Sequence, residues 1–474
     1  MYKKTKIIAT ISDKKCDIEF IRSLYENGVN VVRLNTAHQT HDDALKVIKN
    51  VRAVSNKIAI LLDTKGPEIR TNSMDEDLVV KRGDRIKIKG KPNTKSTKDC
   101  LYVSYTNFVR DVKIGSKILI DDGIMELIAI AEENDYLICE VQDNGRIQGH
   151  KSVNIPSALI KLPALTKKDM DFIRFAAEHN LDFIAHSFVR KPEDVIAVQS
   201  ILDAMESPMK IIAKIENKEG VDNLDSILEH VYGVMVARGD LAIEISSQKL
   251  PVVQKEMIRK CVKARKPVIV ATQMLHTMIE NPRPTRAEVN DIANAIFEGT
   301  DAIMLSGETA YGKYPLEAVK MMSSIAKEVE KSSPAYLDID TKLLSTRKAA
   351  FMVKAAVEAT SSLPIRAIIA DTSSGNTVRG LAAYRGHALV YAQCYSEETM
   401  RYLALSYGVY SDTINENIPH TKILELAIKK LQREQNYNEK DMLAFVAGNF
   451  GKGAGASFLE IGRIDQLLKF VSGK

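Results

Sequence analysis

Eight short, largely apolar runs rich in β-branched residues punctuate the chain: KIIATI from Lys6, NVVRLN from Asn30, AILLDT from Ala59, FIAHSF from Phe183, IIAKIE from Ile211, GVMVAR from Gly233, PVIVAT from Pro267 and AIMLSG from Ala302. Apolar runs of this length suit strands covered on both faces, and eight is the number that closes a (β/α)8 barrel. Between them the period changes to that of helices. DIEFIRSLYENG ends at Gly28, DDALKVIKNVRAV follows His41, PEDVIAVQSILDAM starts on Pro192, and PTRAEVNDIANAIFEG runs from Pro284 to Gly299. The last two carry proline where a first helical turn accepts it. Strands alternating with helices predict parallel pairing.

The alternation breaks between Arg70 and about Ala158. There DLVVKRGDRIKIKG, CLYVSYTNF and KILIDDGIMELIAIAEENDYLICEV follow one another, with turn signals at Arg82-Gly83-Asp84 and Asp143-Asn144-Gly145. This predicts a small all-β domain inserted after the third barrel strand, placed to act as a lid over the barrel mouth. After SSPAYLDID, Ser332 to Asp340, a new alternation begins: helix RKAAFMVKAAVEATSSL, strand RAIIADT, helix NTVRGLAAYR, strand HALVYAQ, helix TKILELAIKKLQRE and strand DMLAFVAG. The expected fold class is α/β: a TIM barrel from residues 1–70 and 159–337, an inserted β-barrel lid over 71–158, and a C-terminal open-sheet α/β domain over 338–474.

Composition narrows the partners more than the fold. The 66 Lys and Arg against 61 Asp and Glu leave a net charge of +5, with no arginine-rich arm, so nucleic acid is not an expected partner. No apolar run reaches membrane-spanning length, and MYKKTKIIATISDKK lacks the apolar core of a secretory signal, so no membrane partner is expected. The five cysteines are odd in number and fall in no CxxC or zinc spacing, which fits a reducing, cytoplasmic setting. There is no G-x-x-x-x-G-K-[ST] loop, and the glycine-rich GNFGKGAGASF from Gly448 reads first as a turn.

Parallel barrels carry their chemistry at the carboxyl ends of the strands. The second run ends with Arg33 and Asn35, the third with Asp63, Thr64 and Lys65, and the fifth with Lys214 and Glu216. The sixth ends with Arg238 and Asp240, the seventh with Thr272 and Gln273, and the eighth with Ser306 and Glu308. Alternate residues of a strand share a face, so Lys214 and Glu216 project together, opposite Ala213 and Ile215. Singly, each such residue is as well explained by a structural ion pair, a cap or a solvated end. Together, Glu216 and Asp240 form a carboxylate pair suited to Mg2+, while Lys214 and Arg33 supply cationic donors for phosphate. Gly239, where strand gives way to helix, offers backbone N–H groups to an anion. The expectation is an anionic, metal-assisted active site.

VNVVRLNTAH, LLDTKGPEIRT, KIENKEGVDN, VMVARGDLAIEI, VIVATQMLHTMIENPRPTRAEVNDIANAIFEGTDAIMLSGETA and YPLEAV resemble, in order, the pyruvate kinase family. The resemblance runs from Lys3 to about Glu330, weakens in the insert and is architectural in the last third. It implies transfer of the phosphoryl group of phosphoenolpyruvate to ADP, with protonation of the remaining enolate to pyruvate. On this resemblance Glu216 and Asp240 hold Mg2+, Lys214 neutralises the transferring group, and Arg33 grips phosphate. The main-chain N–H groups of Gly239 and Asp240 take the substrate carboxylate. Thr272 lies near the carbon that is protonated and acts through water, because a hydroxyl alone is a weak acid. His38, Arg70 and Lys151 match nucleotide-side positions.

Asn35, Asp63 and the Thr64 carbonyl match the family's monovalent-cation site, and Glu68 matches its potassium-dependent pattern, so K+ is expected. Ala37 stands where the family usually carries a serine ligand, which implies weaker or altered cation affinity. Further departures are Ser12-Asp13 for Gly-Pro, Gln39 for a glycine and His186 for a small residue. They bear on nucleotide choice, with His186 read as a structural substitution rather than a new base. Thr372, Ser373, Ser374, Gly375, Asn376 and Thr377 partly resemble a loop that binds the phosphate of an effector; a helix cap is the competing reading. The resemblance also implies a homotetramer. Two other functions stay open: a Mg-dependent aldolase or lyase acting on pyruvate enolates, and a metabolite-binding pseudoenzyme.

Overall fold

A computed structural model describes residues 2–156, 158, 160–332, 347–415, 418–448 and 455–472. The expected limit near residue 337 and most of GNFGKGAGASF lie outside the described residues. All eight apolar runs are strands of one closed, parallel barrel: Lys6–Thr10, Val31–Asn35, Ala59–Asp63, Phe183–His186, Lys210–Ile215, Gly233–Ala237, Val268–Ala271 and Ala302–Leu305. The first strand closes it by pairing with both the second and the eighth, Ile8 opposite Val31 and Lys6 opposite Ala302.

The two faces of each strand build different cores. Ile8, Val31, Leu61, Phe183, Ile212 and Met235 pack with one another inside the barrel. Ile7, Val32, Ile60, Ile184, Ala213 and Val234 pack against the surrounding helices. Covering both faces is what makes the strands read as continuous apolar runs. The helices start on local signals. Thr40 and Asp43 form a capping box for His41–Val54, and Pro192 sits in the first turn of Pro192–Ala204 as expected. The helix expected from Pro284 begins instead at Arg286. Thr285 caps it reciprocally with Glu288, so Pro284 precedes the cap.

The insert forms a six-stranded sheet in the order Val153–Asn154, Lys117–Ile120, Met125–Glu133, Tyr136–Val141, Arg85–Gly90, Cys100–Val103, with Leu78–Val80 and Gly145–Ile147 as a separate pair. Its two outer strands do not pair directly; the segment 70–72 lies between them, Thr71 bridging Val103 of one and Arg70 bridging Ser152 beside the other. Its own core includes Ile88, Leu101, Ile118, Leu127 and Leu137. The chain leaves and re-enters side by side. Thr71 N–H donates to the Lys151 carbonyl at 2.9 Å, Val153 N–H to Ile69 at 2.8 Å, and Arg70 bridges Ser152.

The C-terminal sheet runs Val409–Thr413, Leu389–Cys394, Ile365–Thr372, Met442–Ala447, Phe458–Arg463, with only the last strand antiparallel. Three of these five strands were legible as apolar runs. This domain docks on the amino end of the barrel through buried aspartates that stand just before the fourth and eighth strands. Asp182 takes Arg401 at 2.6 Å and Arg52 at 2.9 Å, and Asp301 takes Arg385 at 2.7 Å. Removing one partner of a buried ion pair costs about 3–5 kcal/mol. Arg401→Met is therefore expected to lower the urea midpoint of unfolding by that order of stability while leaving kcat unchanged, checked by denaturant titration beside a turnover assay. All five cysteines are free and buried, and among the described residues no helix is long and apolar enough to cross a membrane.

Candidate active site

At the carboxyl end of the barrel the interior column changes character. Val31 is followed on its face by Arg33, Leu61 by Asp63, Ala185 by Ser187, and Ile212 by Lys214 and then Glu216. Asp63, almost wholly buried, lies between two cations. Its Oδ2 accepts from Arg33 Nε at 2.6 Å and its Oδ1 lies 3.0 Å from Lys214 Nζ. Lys214 Nζ is also 3.1 Å from Glu216 Oε1 and donates to Ser187 Oγ at 2.6 Å. Arg33 reaches Thr10 Oγ1 at 3.0 Å, and Phe188 N–H, at a left-handed φ of 56°, donates to Glu216 Oε2 at 2.6 Å.

Electrostatics at this rim are set by burial and then by neighbours. Burial alone lowers the pKa of Lys214, but the carboxylates of Asp63 and Glu216 overcome it and hold the ammonium well above the lysine range. Burial would raise Asp63, yet Arg33 and Lys214 keep it below the ordinary aspartate value. Glu216 behaves differently. Burial pushes it up to about 7, Lys214 pulls it back only in part, and the charge of Asp240 adds to the rise. Asp240 is raised by burial as well, with Asp122 and Glu68 adding repulsion. Two buried carboxylates thus share one side of a lysine that Asp63 already half occupies, and further positive charge would stabilise them. Among the described residues no group of three His, Cys, Asp or Glu forms a metal cage. Two carboxylates with room for other oxygens are what Mg2+ accepts, and a closed zinc site needs more protein ligands.

The insert covers this rim. A cleft of about 680 Å3 lies between them, lined by Glu68, Ser152 and Asn154 on one side and by Phe188, Asp240 and Glu244 on the other. Asn154 Nδ2 donates to Glu244 Oε1 at 3.4 Å across it.

Some expected residues have other work. Thr272 and Gln273 both take left-handed backbone, φ 69° and 55°, an uncommon state for a β-branched residue and one found at functional sites. Thr272 Oγ1 donates to the Ala271 carbonyl at 2.6 Å and accepts the Gly239 N–H at 2.8 Å, so that amide is already engaged. Arg238 turns under the rim, pairing with Asp291 at 2.7 Å and donating to the Thr272 carbonyl at 2.6 Å. Glu308 is spent on the backbone N–H groups of Ser306 and Leu275. Neither joins the site, because both side chains are already engaged by these partners; Asp240, in the same short helix as Arg238, is the member of that helix left at the rim.

Asn35 Oδ1 accepts from Ala37 N–H, and the Thr64 carbonyl accepts from Ser187 Oγ at 2.7 Å. Ser187 was not foreseen; its only signal was a polar residue continuing the interior column of the fourth strand. His38 is exposed beyond the second strand. Arg70 pairs with Glu68 at 2.7 Å and Lys151 with Asp121 at 3.0 Å, both where the insert joins the barrel. His186 occupies the outward column, fully buried, with neither ring nitrogen bonded, and burial pushes it down to about 4. It faces away from the rim and is neutral at pH 7, as a structural substitution would be. Gln39 and Ser12 are also turned inward, donating to the carbonyls of Ile11 and Ala310. In the C-terminal domain Thr372 Oγ1 accepts from Gly375 N–H at 2.9 Å. Gly375, at φ 79°, precedes the helix Asn376–Ala383, which has no side-chain cap.

Sequence comparison decides the family. The profile described as pyruvate kinase, barrel domain, matches residues 2–319, and that described as pyruvate kinase, alpha/beta domain, matches 351–461. The chain is 49% identical over 474 residues to a pyruvate kinase of Borreliella burgdorferi, covering 98% of each chain. The chain belongs to the pyruvate kinase family. Pyruvate kinases of Staphylococcus epidermidis and Staphylococcus aureus are 41% and 43% identical, over 94% and 86% of this chain and 78% and 71% of theirs. The activity is accordingly that of a pyruvate kinase, a phosphotransferase, and neither the lyase nor the non-catalytic reading is favoured.

Proposed function

We propose that this rim passes the phosphoryl group of phosphoenolpyruvate to ADP, the enolate then being protonated to pyruvate. The observation that carries the reading is the ammonium of Lys214 held between Asp63 and Glu216, with Asp240 and Arg33 beside it. Glu216 and Asp240 would hold Mg2+, and Asn35, Asp63 and the Thr64 carbonyl would hold K+. Bound there, the two cations neutralise charge on phosphate and carboxylate oxygens.

The chain's own groups do the rest. Lys214 stays protonated throughout and faces the transferring group as a compact charge, while the fork of Arg33 takes two phosphate oxygens. Both cations are held in place by Asp63, so little reorganisation is required when charge develops. The substrate carboxylate lies against Gly239 and Asp240, and the Thr272 hydroxyl yields the Gly239 N–H to it. Thr272 then holds the water that protonates the enolate. His38, Arg70 and Lys151 take the nucleotide, and the lid excludes bulk water.

Residues 1–70 with 159–337, 71–158 and 338–474 are the corresponding units. The loop Thr372, Ser373, Ser374, Gly375, Asn376 and Thr377 would receive a phosphorylated effector, and the assembly is a homotetramer.

Steady-state rates with phosphoenolpyruvate and a panel of nucleoside diphosphates, with potassium or sodium present, test the reading. Pyruvate formation that depends on both the nucleotide and the metal is expected. Aldehyde release, or no turnover with any nucleotide, would overturn it. The state of Glu216 adds a pH signature. Metal binds the carboxylate form, so below about pH 7 protons compete, and apparent Mg2+ affinity is expected to fall about tenfold per pH unit. Calorimetric titration of Mg2+ at pH 8, 7 and 6 checks this; an affinity independent of pH argues against Glu216 as a ligand.

A further inference from the structure

At the opposite end of the barrel from this rim, a second cleft of about 750 Å3 lies between the barrel and the C-terminal domain. Six lysines line it: Lys3, Lys6, Lys57, Lys320, Lys327 and Lys430. Three acids, Glu26, Asp412 and Glu434, also line it, so lysines outnumber acids on its wall. Asp412 is already paired with both Lys57 and Lys430.

Lys3 and Lys6 are the unusual pair. Their residues are only 4% and 1% exposed, yet neither ammonium pairs with a carboxylate among the described residues. Lys3 Nζ donates to the Asn30 side-chain oxygen at 2.6 Å and the Thr5 carbonyl at 3.0 Å; Lys6 Nζ donates to the Val409 carbonyl and lies 4.2 Å from the centre of the Tyr410 ring. The nearby carboxylate of Glu330 is instead occupied by the backbone N–H groups of Lys4 and Thr5. Burial pushes both lysines down, Lys6 to about 7 against the partial opposition of Glu330 and Asp301, and the charge of Lys6 adds to the lowering of Lys3. Charging two adjacent amines that are out of water with only neutral acceptors is costly, and an entering anion offsets that cost. Lys320 and Lys327, two turns apart on one face of Pro315–Val329, are exposed at the entrance with no ion-pair partner among the described residues. Gly28 keeps this packing open. It sits at φ 115°, and a Cβ there would stand 2.6 Å from Ser323 Oγ and 2.9 Å from Lys3 Cε.

We infer that this cleft is a binding site for a small polyanion of the phosphate class, with Lys3 and Lys6 at its floor and Lys320 and Lys327 at its mouth. The ligand touches barrel and C-terminal domain at once, because Val409, Tyr410 and Lys430 come from the latter. The site stands apart from the catalytic rim, and it does not depend on the assignment of catalytic residues made above.

Pyrophosphate, titrated into the full-length protein by calorimetry without metal, is the probe. Binding at this cleft is expected to persist in Lys214→Met, which alters only the rim. It is expected to weaken at least about tenfold in the double variant Lys320→Glu and Lys327→Glu, whose exposed positions do not threaten folding. Lys6→Met, if it folds, is expected to abolish it. Turnover without pyrophosphate in the Lys320/Lys327 variant should match the parent. Affinity unchanged in that double variant, loss of all binding in Lys214→Met alone, or no binding to the parent protein would each overturn the inference.

Discussion

Lys214→Met is expected to lower kcat by about 10^3-fold or more, the scale on which a single preorganised donor to a developing charge acts. Affinity for phosphoenolpyruvate should change far less, since Arg33 and the helix-start amides remain. The protein should still fold. Asp63 keeps Arg33 at 2.6 Å, and Glu216, already raised to about 7 with Lys214 present, takes up a proton once the ammonium is gone. Burst kinetics with far-ultraviolet circular dichroism would separate the two effects. Turnover near that of the parent, in a folded protein, would remove Lys214 from the chemistry.

Glu216→Gln is expected to weaken Mg2+ binding at least about 100-fold, the upper end of what loss of a ligand's outer partner costs. Its effect on stability should run the other way. In the metal-free protein the Glu216 carboxylate is buried beside Asp240, and folding raises its pKa from the ordinary 4.5 to about 7. A group raised on folding binds its proton more tightly in the native state, so above about pH 7 its charge opposes folding. The glutamine carries no charge and can still accept from Phe188 N–H. At pH 8 without metal the variant should therefore unfold at a higher temperature than the parent, and the order should reverse on adding Mg2+. A thermal scan at two metal concentrations checks both signs. A variant less stable than the parent without metal would mean that Lys214 needs Glu216 more than Glu216 suffers from Asp240.

The barrel was legible because each strand is covered on both faces, which forces a continuous apolar run that no surface strand carries. The site was legible for a related reason. On the same inward column that holds Val31, Leu61 and Ile212, a buried interior abruptly becomes Arg33, Asp63 and Lys214, and two-residue spacing alone puts Lys214 with Glu216. Spacing stops being informative where the strand ends. Arg238 and Glu308 stand in short helices, whose side chains follow a different rotation, and both are used to brace backbone, while Asp240, two residues on from Arg238 in the same helix, is left at the rim. Asp63 was expected as a cation ligand, and its second part, as the shared acceptor of Arg33 and Lys214, depends on pairing between strands that are far apart in sequence. In the C-terminal sheet VYSDT is too polar and FLEIGR too mixed to announce the outer strands, because an edge strand is only half covered. The arginines that anchor this domain, Arg385 in the turn after one helix and Arg401 within another, carry no spacing signal that points to aspartates in the barrel.

The junction of the insert with the barrel has a mechanical meaning. Because its departing and returning segments are hydrogen-bonded neighbours at Ile69, Thr71, Lys151 and Val153, the whole panel hangs from one two-stranded strap. A strap of this kind swings as a unit when a few backbone torsions change, with no sliding of packed helices. Arg70 and Lys151 are mounted on it, so any swing carries both toward or away from the rim together; on the function proposed above, closing the site and capturing the nucleotide would be a single motion.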